Sequence, residues 1–106
     1  MLIITQPNSA ESFLVANNDF DLLMDLEQAN HGCNELENGW RLPSNVELEL
    51  MYKNLHLNGL GSFQSNFYWT CTVGREEFYW VLDFNSGVFA MTTELSMHNT
   101  RAVRTI

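Results

Sequence analysis

Basic residues are scarce in this chain: five Lys and Arg stand against thirteen Asp and Glu, a formal charge of −8 at pH 7. A surface with that balance repels phosphate backbones and anionic lipid headgroups, which argues against nucleic acid and membrane as partners. Long apolar runs are missing as well. The N-terminal Met1-Leu2-Ile3-Ile4-Thr5-Gln6-Pro7 has no basic start and only a brief hydrophobic stretch, too short for a secretory signal or a membrane span. As written, the sequence predicts a cytoplasmic protein, and a secreted one only if a leader has been removed. Cysteine is limited to Cys33 and Cys71, too few for a disulfide scaffold and without metal-ligand spacing. Buried free thiols are the expectation for both, with one helix-to-sheet disulfide as the alternative.

What is present supports a packed core. A chain of 106 residues has the length of one domain, 1–106, and is too short for two. Its 45% hydrophobic content includes seven Phe, three Trp and three Tyr, which places it among globular rather than disordered chains.

Leu2 to Thr5 reads as a short strand, followed by a turn at Pro7-Asn8-Ser9 and a second strand from Ser12 to Ala16. The period then changes to helical: Leu22, Leu26, Ala29, Cys33 and Leu36 form an apolar stripe that ends at Gly39. Ser44 and Glu47 have the spacing of a capping box, in which each side chain satisfies a free backbone N–H at a helix start. The second helix begins there, with Leu48, Met51, Tyr52 and Leu55 on one face and Gly59 and Gly61 at its exit. From Phe67 the pattern alternates, with Phe67, Trp69 and Cys71 on one side and Tyr68, Thr70 and Thr72 on the other. Phe78, Trp80, Leu82 and Phe84 repeat it, Asn85-Ser86-Gly87 supplies a turn, and Val88 to Met91 returns as the second arm of a hairpin. A polar loop from Glu94 to Asn99 leads to a terminal strand, Arg101 to Ile106. Trp40, Trp69 and Trp80 are the expected core anchors.

The combination of Trp40-Arg41-Leu42-Pro43 with Glu47-Leu48, Tyr68-Trp69-Thr70-Cys71-Thr72, Trp80 through Phe84 to Gly87, and Arg101-Ala102-Val103-Arg104 resembles the bacterial Lcl C-terminal-domain family. The resemblance runs from about Phe13 to Arg104. Each segment alone is common, and their combination is specific. Members typically show "WRLP…EL", "YWSST", "W…F…G" and "VRaVR"; here Thr70-Cys71 replaces the serine pair, so any role resting on those hydroxyls does not carry over. The resemblance implies an α+β, C-type-lectin-like fold: two helices on a twisted, mainly antiparallel sheet whose terminal strands pair. It also implies a ligand- or surface-binding module. Trp40, Arg41, Pro43, Ser44, Glu47, Trp69, Trp80 and Arg104 belong to that structural signature.

The chemistry-bearing residues point the same way. Arg41 lies close enough in sequence to Glu47 for the carboxylate to take the guanidinium and the cap together, which favours a structural pair over an anion site. His31, His56 and His98 are isolated from other metal ligands and read as surface histidines, and Asp19, Asp21 and Asp25 lack the glycine and terminal glutamate of a calcium loop. The Glu-Pro-Asn and Trp-Asn-Asp calcium motifs of sugar-binding C-type lectins are missing too, so neither metal nor cofactor is expected. A distantly related fold, that of formylglycine-generating enzymes, works through a reactive cysteine pair. Cys33 and Cys71 therefore carry the alternative of a cysteine-dependent enzyme, although both fall on apolar stripes where thiols are inert. A structural module of a larger assembly is the other alternative. The leading expectation is a non-catalytic, calcium-independent module for a protein or carbohydrate, with Arg75, Glu76, Glu77, Asp83, Asn85, His98 and Asn99 as binding residues on loops of a rigid sheet.

Overall fold

The computed structural model describes residues 2–5 and 12–106, so the expected turn at Pro7-Asn8-Ser9 lies outside the described residues. Strands β1 (Leu2–Thr5), β2 (Ser12–Val15) and β6 (Val103–Thr105) form one antiparallel sheet in the order β1-β2-β6. Ile4 pairs with Phe13, and Val15 with Val103. The terminal strands thus share a sheet without pairing to each other, because β2 lies between them. A second antiparallel sheet is the meander β3 (Phe67–Val73), β4 (Phe78–Asp83) and β5 (Phe89–Thr93). With helices α1 (Leu26–Glu35) and α2 (Asn45–Asn54), this is an α+β protein built on two three-stranded sheets rather than one. Its radius of gyration, 12.7 Å, is that of a single compact body; about 13 Å is usual for a domain of this length.

The helices start where their caps place them. Ser44 Oγ accepts from Glu47 N–H at 3.2 Å and Glu47 Oε1 accepts from Ser44 N–H at 2.9 Å, the reciprocal pair expected at the start of α2. Asp25 and Gln28 form a second such box, which fixes the start of α1 at Leu26. Leu22 therefore falls before the helix and off its buried stripe, and it is 75% exposed. The β4–β5 turn is closed by Asp83, whose carboxylate accepts from Asn85 N–H and Ser86 Oγ–H while its carbonyl accepts from Gly87 N–H. Gly87 has φ of +77°, and a Cβ there would lie 2.6 Å from the Tyr52 ring, so the turn needs glycine on both counts.

The middle of the meander sheet, where β3 pairs with β4, is buried on both faces. One face, with Tyr68 and Leu82, packs with Phe84 against α2 residues Leu48 and Met51 and against Phe13, Val15 and Val103 of the first sheet. The other, with Trp69 and Val81, packs against Ala29 and Cys33 of α1 and against Leu42 and Ala102. Consequently Tyr68 and Trp69, neighbours on opposite faces, are both fully buried. Of the three expected tryptophan anchors, only Trp69 is fully buried. Trp40 packs half-buried against the α1 core, and Trp80 is half-buried with its ring against Phe89.

Cys71 also departs from the alternation. From Trp69 to Val73 β3 advances four residues while β4 retreats only from Val81 to Tyr79, so β3 bulges between them. Thr70 holds the bulge: its hydroxyl donates to Trp80 O and accepts from Thr72 N–H. The bulge turns Cys71 outward, where it is exposed rather than buried.

The C-terminal segment joins the two halves of the molecule. Asn99 N–H donates to Phe67 O and Asn99 O accepts from Trp69 N–H, while Arg41 and Val103 exchange both backbone bonds. On its other side, Met24 and His98 exchange theirs, and Phe20 N–H donates to Thr100 O. No helix among the described residues is long and apolar enough to cross a membrane.

Candidate functional site

Three segments, 16–24, 61–66 and 97–101, meet over one buried side chain. Arg101 Nε donates to Asp19 Oδ1 at 2.8 Å, Nη1 to Ala16 O at 3.0 Å, and Nη2 to Gly61 O at 2.7 Å and Ser62 O at 3.3 Å. Its guanidinium carbon lies 4.1 Å from the centre of the Phe63 ring. Asp19 Oδ2 accepts from Tyr68 Oη–H at 2.5 Å, and Tyr68 Oη accepts from Gln64 N–H at 2.8 Å. Burial raises the Tyr68 pKa, and the bond to Asp19 raises it further, so the phenol stays a neutral donor. A guanidinium with donors on several sides thereby fixes two loops at once, and those loops form the walls of a surface cleft.

The cleft is polar and has a volume of about 690 Å³, with Asp19, Asp21, Asn66 and Asn99 among its lining residues. Phe20 and Leu23 line it too, and both also line an adjoining apolar groove of about 490 Å³ between segment 20–24 and α1. Leu22, Met24, Gly32 and Leu36 continue that groove. A smaller cleft of about 290 Å³ is walled by Leu23, Phe67, Met97 and His98. Leu22, Leu23, Leu36, Phe67 and Met97 are all exposed large apolar side chains. The His98 ring sits edge-on to Trp69, with its Nε2 3.1 Å from Thr92 Oγ1, and burial lowers its pKa, so it is neutral at pH 7.

Of the residues expected from the sequence to bind, His98 and Asn99 line these clefts, His98 half-buried and Asn99 buried. Arg75, Glu76 and Glu77 occupy the exposed β3–β4 turn, where Glu76 and Glu77 line a different cleft with Phe78 and Leu95. Asp83 and Asn85 lie at the opposite end of β4, a six-residue strand of roughly 20 Å, and Asp83 is occupied with closing its turn. The seven residues therefore form no common site. Sequence reading missed Leu22 and Leu23, whose adjacency was a usable signal, since neighbouring residues cannot share one narrow helix stripe. It also missed Arg101, which lies just before β6 in a run of consecutive buried residues that includes Ala102 and Val103.

The signature residues hold structure together. Arg41 grips Glu47 with both forks, Nη1 to Oε1 at 2.7 Å and Nη2 to Oε2 at 2.8 Å, and Nη2 also donates to Thr105 Oγ1 at 2.7 Å. Pro43, buried, accepts from Cys71 N–H, which ties the α2 start to β3; Arg104, half-buried, lies opposite Leu14 in the first sheet. Burial by itself pushes the Glu47 carboxyl upward, but the hydrogen bonds from Arg41 and Ser44 and the Arg41 charge outweigh it, and the pKa falls below the ordinary 4.5. A carboxyl depressed on folding stabilises the protein fully above its unfolded pKa and loses that contribution as the pH falls through the lower folded value. Acid titration of stability should accordingly show a component below pH 4.5 that Glu47→Gln abolishes. At pH 7, Ser44→Ala should cost about 1 kcal/mol and Glu47→Ala more, because both Arg41–carboxylate hydrogen bonds are then lost together with the cap. Equal urea midpoints for the two variants would contradict this.

The cysteines differ from each other. Burial pushes the Cys33 thiol up to about 12. Cys71 is exposed, yet crowding by its neighbours raises its pKa as well, against the pull of Arg41. One thiol per chain should react with Ellman's reagent in the native protein, more slowly than a free thiol, and the second only after denaturation. Two fast native thiols, or none, would refute these placements.

Among the described residues there is no group of three or more His, Cys, Asp or Glu placed to hold a metal ion. No protein-family model matches the chain, and no curated protein matches it.

Proposed function

We propose that this chain is a non-catalytic binding module of the Lcl C-terminal-like family, with a C-type-lectin-like fold, that engages a protein or carbohydrate without calcium. The observation that supports this reading is the gathering of five exposed apolar side chains, Leu22, Leu23, Leu36, Phe67 and Met97, along two clefts that share Leu23. Apolar residues scattered singly on a surface need no explanation, whereas a contiguous patch rimmed by polar groups is the usual mark of an interaction site. A rigid base suits that role, since Arg101 and Trp69 hold the loops in place before any ligand arrives. The binding residues of this proposal are therefore those beside Leu23 and Met97, with His98 and Asn99, and not the turn at Arg75 to Glu77.

The test is a combined glycan and peptide array probed with labelled protein, repeated with a chelator. Ligands should survive chelation and Arg75→Ala/Glu76→Ala, and be lost with Leu23→Ser/Met97→Ser. Binding that disappears with chelator would overturn the calcium-independent reading. Binding abolished by the turn substitutions alone would move the site to the other end of β4.

A further inference from the structure

The first forty residues contain seven of the thirteen acidic residues, at positions 11, 19, 21, 25, 27, 35 and 37, and neither Lys nor Arg. Arg101 reaches Asp19 from the far end of the chain, and Asp25 is spent on capping α1. Asp21 is left at the edge of the polar cleft, between the groove residues Phe20 and Leu22, and Glu35 lines the groove itself, its Oε1 2.6 Å from His31 Nε2. An apolar groove with an acidic rim is complementary to one kind of surface. We propose that the groove between segment 20–24 and α1 binds an amphipathic helix of a partner protein, with its apolar face on Phe20, Leu22, Leu23 and Leu36 and flanking Lys or Arg at Asp21 and Glu35; this rests on the binding-module reading above.

Two observations select that occupant. Phe20 N–H and Met24 N–H are already bonded to Thr100 O and His98 O, so this segment offers side chains rather than a free strand edge, and a helix presenting anchors at three- and four-residue steps matches it. The groove's volume of about 490 Å³ accommodates a few such anchors. A second copy of this chain does not fit, because symmetric pairing through this face would oppose two acidic rims. Anionic lipid is repelled on the same ground.

Fluorescence anisotropy with three labelled synthetic peptides of equal length tests the proposal: a Leu/Lys amphipathic helix, its Leu/Glu counterpart, and a Leu/Lys peptide scrambled so that leucine is spread around the helix. The amphipathic basic peptide should bind, weaken with added salt, and lose about tenfold or more in affinity with Leu22→Ser/Leu23→Ser and with Asp21→Lys/Glu35→Lys. The charge-reversed protein should gain affinity for the Leu/Glu peptide. All the substituted positions are at the surface or its edge, and an unchanged melting curve verifies the fold. Equal binding of the scrambled peptide would reduce the effect to net charge and overturn the proposal, as would binding indifferent to the groove substitutions or no binding at all. An array ligand retained by Leu22→Ser/Leu23→Ser and lost with Leu23→Ser/Met97→Ser keeps the binding-module reading while rejecting this partner. Absence of both array ligands and peptide binding rejects the two together.

Discussion

Trp69→Ala should leave the protein largely unfolded at room temperature. The indole is fully buried in the core formed with Ala29, Cys33, Leu42, Val81 and Ala102, and its Nε1–H donates to Met24 O at 2.7 Å. Truncating such a side chain costs about 3–5 kcal/mol through lost burial and the cavity left behind. Small domains have only about 5–15 kcal/mol in total. The loss also reaches the candidate site, because Trp69 supports both Met24 and the His98 ring, 5.0 Å from its own. Trp80→Ala is the internal comparison: half-buried against Phe89, it should cost clearly less. Urea denaturation of the two variants decides the matter, and a Trp69→Ala midpoint near wild type would mean that the core is misassigned.

Arg101→Ala should be the second severe change, at about 3–5 kcal/mol. Its side chain is fully buried and Asp19 nearly so, so removing the guanidinium leaves a carboxylate without its cation and takes a donor from Ala16, Gly61 and Ser62. Arg101→Lys should recover only part of the loss, because a single ammonium cannot reproduce the planar fork that serves acceptors in different directions. Asp19→Ala/Arg101→Ala should be less destabilised than the sum of the single changes, since the double variant contains no unpaired charge. Arg75→Ala, at an exposed turn, provides the baseline. If Arg101→Ala costs no more than Arg75→Ala in urea, the buried pair does not hold these loops.

Local features were readable because their partners are local. Ser44 and Glu47 satisfy each other's backbone three residues apart, and Asp83 closes its turn within four residues, so the start of α2 and the β4–β5 hairpin followed from residue type and spacing alone. The Arg41–Glu47 pair followed for the same reason. Asp25 and Gln28 were equally local, and the apolar spacing of Leu22 concealed them.

Faces and long-range partners were another matter. Alternation says that Tyr68 and Trp69 point apart, but not that α2 covers one side of the sheet and α1 the other. Cys71 turns outward because a bulge interrupts the alternation, and what stabilises the bulge is a hydroxyl on β3 meeting a carbonyl on β4. Arg101 finds Asp19 across 82 positions, and Leu23 meets Met97 only because the C-terminal segment lies beside residues 20–24. The sequence by itself therefore determined the α+β composition, the start of α2, the hairpin turn and the acidic character of the chain. Only the tertiary structure decided which side chains are buried, which charges are paired and which apolar residues gather into a groove. The physical reason is range: caps and turns are satisfied within a few residues, whereas burial and charge pairing depend on surfaces that other parts of the chain bring into contact.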